Sequence, residues 1–236
     1  MAVKVDIKAL YEAGVHFGHK TSRWHPKMAP YIHSKRQDSH IIDLTKTVEA
    51  LEAALPVVAE SVKKGKQVLF VGTKRQAKDI VREAAERVGQ PYVTERWMGG
   101  MLTNTATMVA RIKHLKGLEK KMDSGELANR YNKLEVQRFQ EEIDDLNRRY
   151  GGIKHLNGNP GVVFVTDVLE DKNAVAEAKK LGVPVVAICD TNTDPTMVDH
   201  AIPANDDAIK SLQCIVDYVT AAVEEGKATA DKKEGK

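Results

Sequence analysis

Short apolar runs and helical patterns alternate along most of the chain. Val68–Val71 is a continuous apolar run rich in β-formers, and such a run bounded by turn residues predicts a strand buried on both faces. Apolar residues then recur every three or four positions over 77–88, which indicates an amphipathic helix. Gly89 and Pro91 end that helix, and residues 92–93 begin another strand. A strand–helix–strand unit of this kind builds a parallel sheet.

The same pattern returns in the second half of the chain. Residues 162–165 form an apolar run, an amphipathic helix follows over 175–181, and 185–188 is the next apolar run. Gly182 and Pro184 repeat the glycine–proline junction between helix and strand. Two such units predict the two halves of one α/β domain with a doubly wound, mainly parallel, Rossmann-like sheet.

Residues 104–150 carry a different pattern, with apolar residues three or four positions apart over 108–122 and again over 136–150. This spacing is typical of coiled coils, and a turn around 123–125 separates the two stretches. We therefore predict an inserted antiparallel helical hairpin. Lysines crowd its first helix and acidic residues its second, which favours two mutually neutralising, solvated faces over an RNA-binding surface.

These patterns divide the chain into four parts. A further amphipathic stripe over 44–62 predicts a helix on the sheet, which Pro56 should kink or split. From Gly226 onward the chain is small, polar and charged, so we expect disorder. The parts are a basic N-terminal region at 1–43, the α/β core at 44–103 and 151–225, the hairpin at 104–150 and a disordered tail at 226–236.

Composition narrows the class of protein without fixing its function. The chain has 236 residues, 42% of them hydrophobic and 29% charged, as in ordinary soluble domains. It has no apolar run of membrane-spanning length and no apolar signal core near its start, so we expect a cytoplasmic protein. Cys189 and Cys214 are interpreted as core residues in a reducing compartment. The formal net charge of +3 is too small to indicate a nucleic-acid partner, so the distribution of charge must decide.

The stretch over 13–37 is basic and contains no acidic residue. Its glycines and prolines predict an irregular loop. Cations interleaved with aromatic rings suit RNA, because cations meet phosphates and flat rings stack on bases. The alternative is a solvated loop whose Trp24 and Tyr31 pack on the sheet. We favour RNA contact by the N-terminal region.

Two further stretches are candidate anion sites. Thr73, Lys74 and Arg75 follow the first core strand and fit a bound phosphate, although they form neither a dinucleotide fingerprint nor a P-loop. The glycine turn over 96–104 precedes a helix and offers backbone N–H groups to an anion. A tight turn around a buried Trp97 explains the same residues equally well. No nucleophile–base motif accompanies these stretches, so we expect a protein that is not an enzyme.

Acidic residues gather after the later strands, where open α/β sheets bind ligands. Asp190, Asp206 and Asp207 suit Mg²⁺ or Zn²⁺, with His16 or His19 as an added ligand. The favoured alternative is that these are turn and cap residues. We expect no required cofactor.

Several stretches together resemble the family of the second protein of the small ribosomal subunit, in its bacterial form. They run in order from about residue 10 to about residue 225. His25 and Thr193 depart from the residues usual in the family, Asn and Cys. The matching stretches are Gly14-Val15-His16-Phe17-Gly18-His19, Arg23-Trp24, Pro26-Lys27-Met28, Pro30-Tyr31-Ile32, Ile41-Ile42-Asp43-Leu44, Phe70-Val71-Gly72-Thr73-Lys74, Arg96-Trp97, Gly99-Gly100-Met101-Leu102-Thr103-Asn104, Gly151-Gly152-Ile153, Pro184-Val185-Val186-Ala187-Ile188, Asp190-Thr191-Asn192, Asp194-Pro195 and Asn205-Asp206-Asp207-Ala208.

The resemblance implies a structural constituent of the small ribosomal subunit. Such a protein binds small-subunit ribosomal RNA at the junction of head and body and supports docking of the messenger-binding ribosomal protein S-one. Its partners are the RNA and neighbouring ribosomal proteins; no membrane and no second copy of the chain is expected. Two alternatives are an α/β enzyme that binds a phosphorylated ligand and a free RNA-binding regulator. The expected RNA-binding residues are His19, Lys20, Arg23, Trp24, Lys27, Tyr31, Lys35, Arg36, Thr73, Lys74, Arg75, Arg96, Trp97, Gly99, Gly100 and Asn104.

Overall fold

The computed structural model describes residues 4–234 of the chain. Short 3-10 turns join several of its elements. In chain order the helices and strands are α1 (Ile7–Glu12), β1 (Phe17–Lys20), β2 (Ile32–Arg36), β3 (Ser39–Ile42), α2 (Leu44–Lys63), β4 (Val68–Val71), α3 (Lys78–Arg87), β5 (Tyr92–Val93), α4 (Thr105–Asp123), α5 (Glu126–Arg130), α6 (Lys133–Tyr150), β6 (Val162–Val165), α7 (Lys172–Lys180), β7 (Val185–Cys189), β8 (His200–Pro203) and α8 (Ile209–Glu234).

A five-stranded parallel sheet forms the centre of the molecule, with strand order β5-β4-β6-β7-β8. Every residue of β4, β6 and β7 is buried, as expected for strands covered on both faces. Phe70 lies opposite Phe164 in the register, and their rings meet edge to face. The doubly wound α/β fold is confirmed.

Helices cover the sheet in two layers. On one face α2, α3 and α8 pack against alternate strand residues such as Phe70 and Phe164. On the other face α7 and the root of the hairpin pack against Leu69 and Val163. This division follows from the pleat, which turns successive side chains to opposite faces.

The helix α2 runs without interruption past Pro56, so the alternative that this proline splits the helix is wrong. Leu51, Leu55 and Val58 are buried on both sides of it. Their burial against the sheet stabilises a single helix despite the hydrogen bond that a proline cannot donate.

The N-terminal region is not the irregular loop that its glycines and prolines predicted. Residues 17–42 form a three-stranded antiparallel sheet of order β1-β3-β2, with 3-10 turns at Thr21–Arg23 and Pro26–Tyr31 between β1 and β2. We call these strands and the segment between them together the basic sheet. Gln37 and Asp38 adopt positive φ values of 46° and 62° and turn β2 into β3, as a tight hairpin requires. Most side chains of β2 are exposed, and the stretch therefore lacks the apolar alternation from which a strand is predicted.

The helical hairpin is confirmed as α4 and α6, with α5 as an additional short helix at its tip. Asn132 and Glu135 form a reciprocal capping box that starts α6. Near the root, Tyr150 and Met108 belong to the same apolar cluster as the sheet residues. The hairpin is therefore anchored to the core by apolar packing and not only by its own seam.

The predicted disordered tail is wrong for residues 226–234, because α8 continues through Glu234; residues 235–236 lie outside the described part of the chain. A Cβ on Gly226 would lie 2.7 Å from the Ala59 carbonyl oxygen, so this glycine permits a close approach of α8 to α2. The Lys227 ammonium donates to the Val88 carbonyl. Among the described helices, none is both long and apolar enough to cross a membrane.

Candidate functional site

The carboxyl ends of the parallel strands bring several loops together around Lys74. Its ammonium lies 2.6 Å from Asp207, 2.8 Å from Asp206 and 3.2 Å from Asp167. Loops that follow different strands supply these residues, and they meet because parallel strands end at one edge of the sheet. Lys74 is thus enclosed by carboxylates of its own chain.

Thr73 is engaged in the same way. Its backbone N–H and hydroxyl donate to the Asp171 carboxylate, at 3.2 and 2.9 Å. Burial raises the pKa of Asp171 to about 6, although the Thr73 hydrogen bonds oppose the shift. Of the three residues predicted to hold a phosphate after β4, only the exposed Arg75 has no partner among the described residues. A phosphate here would face several carboxylates, which the prediction of an RNA contact at Thr73 and Lys74 did not take into account.

His19 joins the basic sheet to this cluster. Its Nδ1 lies 3.0 Å from Asp190 and its Nε2 lies 3.3 Å from Asp207, and its backbone N–H donates to the Thr191 hydroxyl at 2.9 Å. A Cβ on Gly18 would lie 2.6 Å from the Thr191 side chain, so only glycine permits this approach of β1 to the loop after β7. The hydrogen bond to Asp190 raises the pKa of His19 against the effect of burial.

Carboxylates outnumber cations in this cluster. Burial raises the pKa of Asp206, with further increases from the charges of Asp190 and Asp167 that the Lys74 ammonium only partly offsets. Burial lowers the pKa of Lys74, but the hydrogen bonds to Asp206 and Asp207 and the surrounding negative charge raise it above its ordinary value overall. The lysine therefore remains an ammonium whose main effect is to neutralise the buried acids.

The predicted metal ligands are only partly brought together. One ligand atom each from His19, Asp206 and Asp207 lies within 4.8 Å of the others. His16 lies outside this group, and its ring stacks on Tyr11 with centroids 4.6 Å apart. Asp190 accepts its hydrogen bonds from His19 and Thr191. Imidazole and carboxylate atoms suit a divalent cation chemically, but Lys74 already contacts both aspartates.

The glycine turn before α4 binds an anion, and that anion is a side chain of the protein itself. Both oxygens of Glu177, on α7, accept hydrogen bonds there. The donors are the Trp97 indole at 3.0 Å, the backbone N–H groups of Gly100 at 2.7 Å, Leu102 at 2.9 Å and Thr103 at 3.1 Å, and the Thr103 hydroxyl at 3.1 Å. Burial alone would raise the pKa of Glu177, but these donors hold it below its ordinary value.

The structure engages most of the glycine turn internally, and the RNA-binding prediction for Trp97, Gly99, Gly100 and Asn104 stays a prediction. Trp97 is only 6% exposed, so its ring is not free to stack on a base. The N–H groups expected to hold a phosphate are already paired with Glu177, while Gly99 donates no hydrogen bond to it. Asn104 caps α4 by accepting from the Thr107 N–H at 3.3 Å. Sequence reasoning missed Glu177 because α7 follows more than seventy positions later and only the fold brings it here.

The cations of the basic sheet have a different environment. Lys27 pairs with Asp194 at 2.7 Å, and Lys35 approaches Asp38 at 3.9 Å. Lys20, Arg23 and Arg36 are exposed and have no acidic partner in the part of the chain that the structure describes. Lys20 and Arg23 line a cavity of about 390 Å³ beside His19, and Asp190 and Asp207 also line this cavity without pairing with either cation.

Trp24 and Tyr31, the two aromatic residues predicted to contact RNA in the basic sheet, differ in exposure. Trp24 is 40% exposed and its ring lies 5.3 Å from that of His40. Tyr31 is half-buried and packs against the apolar cluster of the second layer. Trp24 therefore retains a face for stacking, whereas Tyr31 mainly holds the basic sheet to the core.

The strand ends, where a Rossmann-like enzyme takes its ligand, are occupied in this molecule by internal ion pairs. Several exposed cations of the appended basic sheet, in contrast, have no acidic partner among the described residues. The molecule is thus an α/β protein whose strand-end crevice is occupied by its own side chains. The chain belongs to the ribosomal protein S2 family, whose model matches residues 10–226.

Similar proteins support the assignment along the whole match. The chain is 49% identical over 227 residues to small ribosomal subunit protein uS2 of Coprothermobacter proteolyticus, covering 96% of this chain and 84% of the relative. It is 48% identical over 223 residues to the uS2 protein of Roseiflexus sp. RS-1, covering 94% and 85%. It is 47% identical over 222 residues to the uS2 protein of Chloroflexus aggregans, covering 94% and 93%.

Proposed function

We propose that the chain is a structural, non-catalytic constituent of the small ribosomal subunit and binds small-subunit ribosomal RNA through the basic sheet. One observation carries the proposal: Lys20, Arg23 and Arg36 are exposed and have no acidic partner among residues 4–234, in a basic sheet held against the core. Phosphates would neutralise these cations and release counterions, which favours binding.

The attachment of the basic sheet makes the contact specific in position. His19 ties β1 to the loops after β7 and β8, and Lys27 ties the following turn to Asp194. Cations that are held in place before binding lose less freedom when phosphates meet them. The exposed face of Trp24 adds a surface on which an unpaired base can stack.

Family membership supports the finer parts of the proposal. We infer a cytoplasmic ribosomal protein at the junction of head and body, in contact with neighbouring proteins and supporting docking of the protein S-one, and acting as a single copy. We propose no required cofactor, since the Lys74 ammonium supplies positive charge to the acidic cluster. The secondary proposal of a Mg²⁺ or Zn²⁺ site is narrowed to His19, Asp206 and Asp207. Metal analysis of purified small subunits, compared with subunits carrying D207N, tests it.

Co-sedimentation tests the main proposal. Tagged wild-type protein, expressed in bacterial cells and fractionated on a sucrose gradient, should travel almost wholly with small subunits and assembled ribosomes. Protein that remains at the top of the gradient yet binds RNA would instead support a free regulator. Protein that remains there and binds no RNA would contradict both and favour the phosphorylated-ligand alternative.

A further inference from the structure

We propose a second RNA-backbone contact, in a groove between the root of the helical hairpin and the loop after β5. Arg96, Arg148 and Arg149 line it, and we call it the arginine groove. The inference rests on the proposed function, but it concerns a surface separate from the basic sheet.

The arginine groove is a continuous track. Its main cavity encloses about 560 Å³ and is walled by the loop from Glu95 to Gly99 and by the end of α6. An adjoining cavity of about 100 Å³ shares Arg148 and Arg149 and continues to Arg82 on α3. Guanidinium groups therefore follow one another from one cavity to the next.

Two local features build the walls. A Cβ on Gly152 would lie 2.3 Å from the Tyr92 carbonyl oxygen, so only glycine lets the end of the hairpin press on β5. The opposite wall is fixed by Glu177, which binds the Trp97 indole and the backbone of the glycine turn. The glycine turn thus shapes the groove, while arginines supply its charge.

The arginine groove carries excess positive charge. Asp145 serves both Arg149, at 2.9 Å, and Arg148, at 4.0 Å. Glu95 is held by Lys78 at 2.9 Å. Arg96 is exposed and has no acidic partner among the described residues. The main cavity is consequently lined by three arginines and two carboxylates, of which Glu95 is already paired with Lys78. Arg82 of the adjoining cavity pairs with Asp79 and adds no excess charge.

Helix electrostatics explains only part of this arrangement. Arg148 and Arg149 lie in the last turn of α6, where cations complement the helix dipole. The helix dipole does not explain why Arg96, in the loop after β5, lines the same cavity. Convergence of separate segments on one cavity indicates a ligand.

The chemistry of the lining favours RNA phosphate over an acidic protein. A guanidinium presents a planar fork that binds two phosphate oxygens at once. Protein interfaces usually gain their affinity from large apolar or aromatic anchors, but the one tryptophan in this wall is buried and committed to Glu177. A row of cations without such an anchor matches a chain of phosphates.

The test is RNA affinity across a salt series with the full-length protein and small-subunit ribosomal RNA as the probe. If each arginine neutralises one phosphate, R96Q/R148Q/R149Q should flatten the logarithmic salt slope by about two to three units. The control K63Q/K64Q/K66Q removes the same charge at the end of α2, on the opposite layer, and should leave the slope unchanged. Circular dichroism and thermal unfolding verify that both variants fold.

A lysine variant tests the geometry of the guanidinium groups separately from their charge. R96K/R148K/R149K should keep most of the salt slope while losing affinity severalfold, because lysine retains charge without the fork. An unchanged salt slope in folded R96Q/R148Q/R149Q would overturn the proposal that the arginine groove binds RNA. This holds even if the variant loses contact with a neighbouring protein in the assembled subunit. If wild-type protein binds neither RNA nor subunits, the proposed function fails instead, so the two failures are distinguishable.

Discussion

Lys74 and Arg23 both stand in basic stretches that suggest a phosphate contact, yet the fold gives them opposite environments. Lys74 lies among Asp167, Asp206 and Asp207 at the strand ends. Arg23 lies on the basic sheet with no acidic partner among the described residues. A cation in a basic stretch stays open to an external phosphate only where the fold leaves it unpaired. We therefore assign Lys74 a stabilising role within the protein and propose Arg23 as a contact to RNA.

The largest expected effect comes from removing the internal cation. Lys74→Met leaves two buried carboxylates, Asp167 and Asp206, without their ammonium, and breaking a buried ion pair from one side costs about 3–5 kcal/mol. Urea denaturation should therefore show a markedly lower free energy of unfolding. The neighbouring Arg75→Met, at an exposed position, should stay within about 0.5 kcal/mol of wild type. Equal free energies of unfolding for the two variants would contradict the claim that the ion pairs of Lys74 stabilise the fold.

A smaller loss is expected at the glycine turn. Glu177→Gln replaces one accepting oxygen by an NH₂ group that faces N–H donors, and an unsatisfied buried donor costs about 1–3 kcal/mol. The free energy of unfolding should fall by an amount in this range, and the fluorescence of Trp97 should change. Glu83→Gln, on the exposed side of α3, is the matched control. A folded Glu177→Gln protein as stable as the control would mean that Glu177 does not hold the turn.

The smallest effect concerns pH and the attachment of the basic sheet. The folded pKa of His19 is raised by its hydrogen bond to Asp190, so the protonated ring stabilises the folded state below pH 6.5. That contribution is lost as pH rises through the raised folded value. Hydrogen exchange of β1 amides, corrected for the intrinsic rate, should therefore show more opening above neutral pH.

His19→Gln should remove this extra pH dependence of opening, whereas His33→Gln, on the exposed β2, should retain it. Opening of β1 that is independent of pH in wild-type protein would contradict a protonated His19 as the tie. A contact other than the one between protonated His19 and Asp190 would then have to attach the basic sheet to the strand ends.

Patterns in the sequence were sufficient for the parallel sheet and the hairpin, because both follow from apolar periodicity. The basic sheet escaped prediction because backbone pairing and the turn at Gln37 and Asp38 hold it, with little apolar alternation. The composition after Gly226 predicted disorder, because it does not show that α8 packs against α2 at this glycine. Glu177 and the partners of Lys74 lie far away along the chain, so their contacts follow from the fold alone.

The most direct test of the account is the salt dependence of RNA binding when the unpaired cations of the basic sheet are removed. K20Q/R23Q/R36Q, compared with wild type and with the K63Q/K64Q/K66Q control, should bind small-subunit ribosomal RNA with a logarithmic salt slope flatter by about two to three units, while its circular dichroism is unchanged. A folded K20Q/R23Q/R36Q protein with the wild-type slope would contradict the claim that the basic sheet binds RNA.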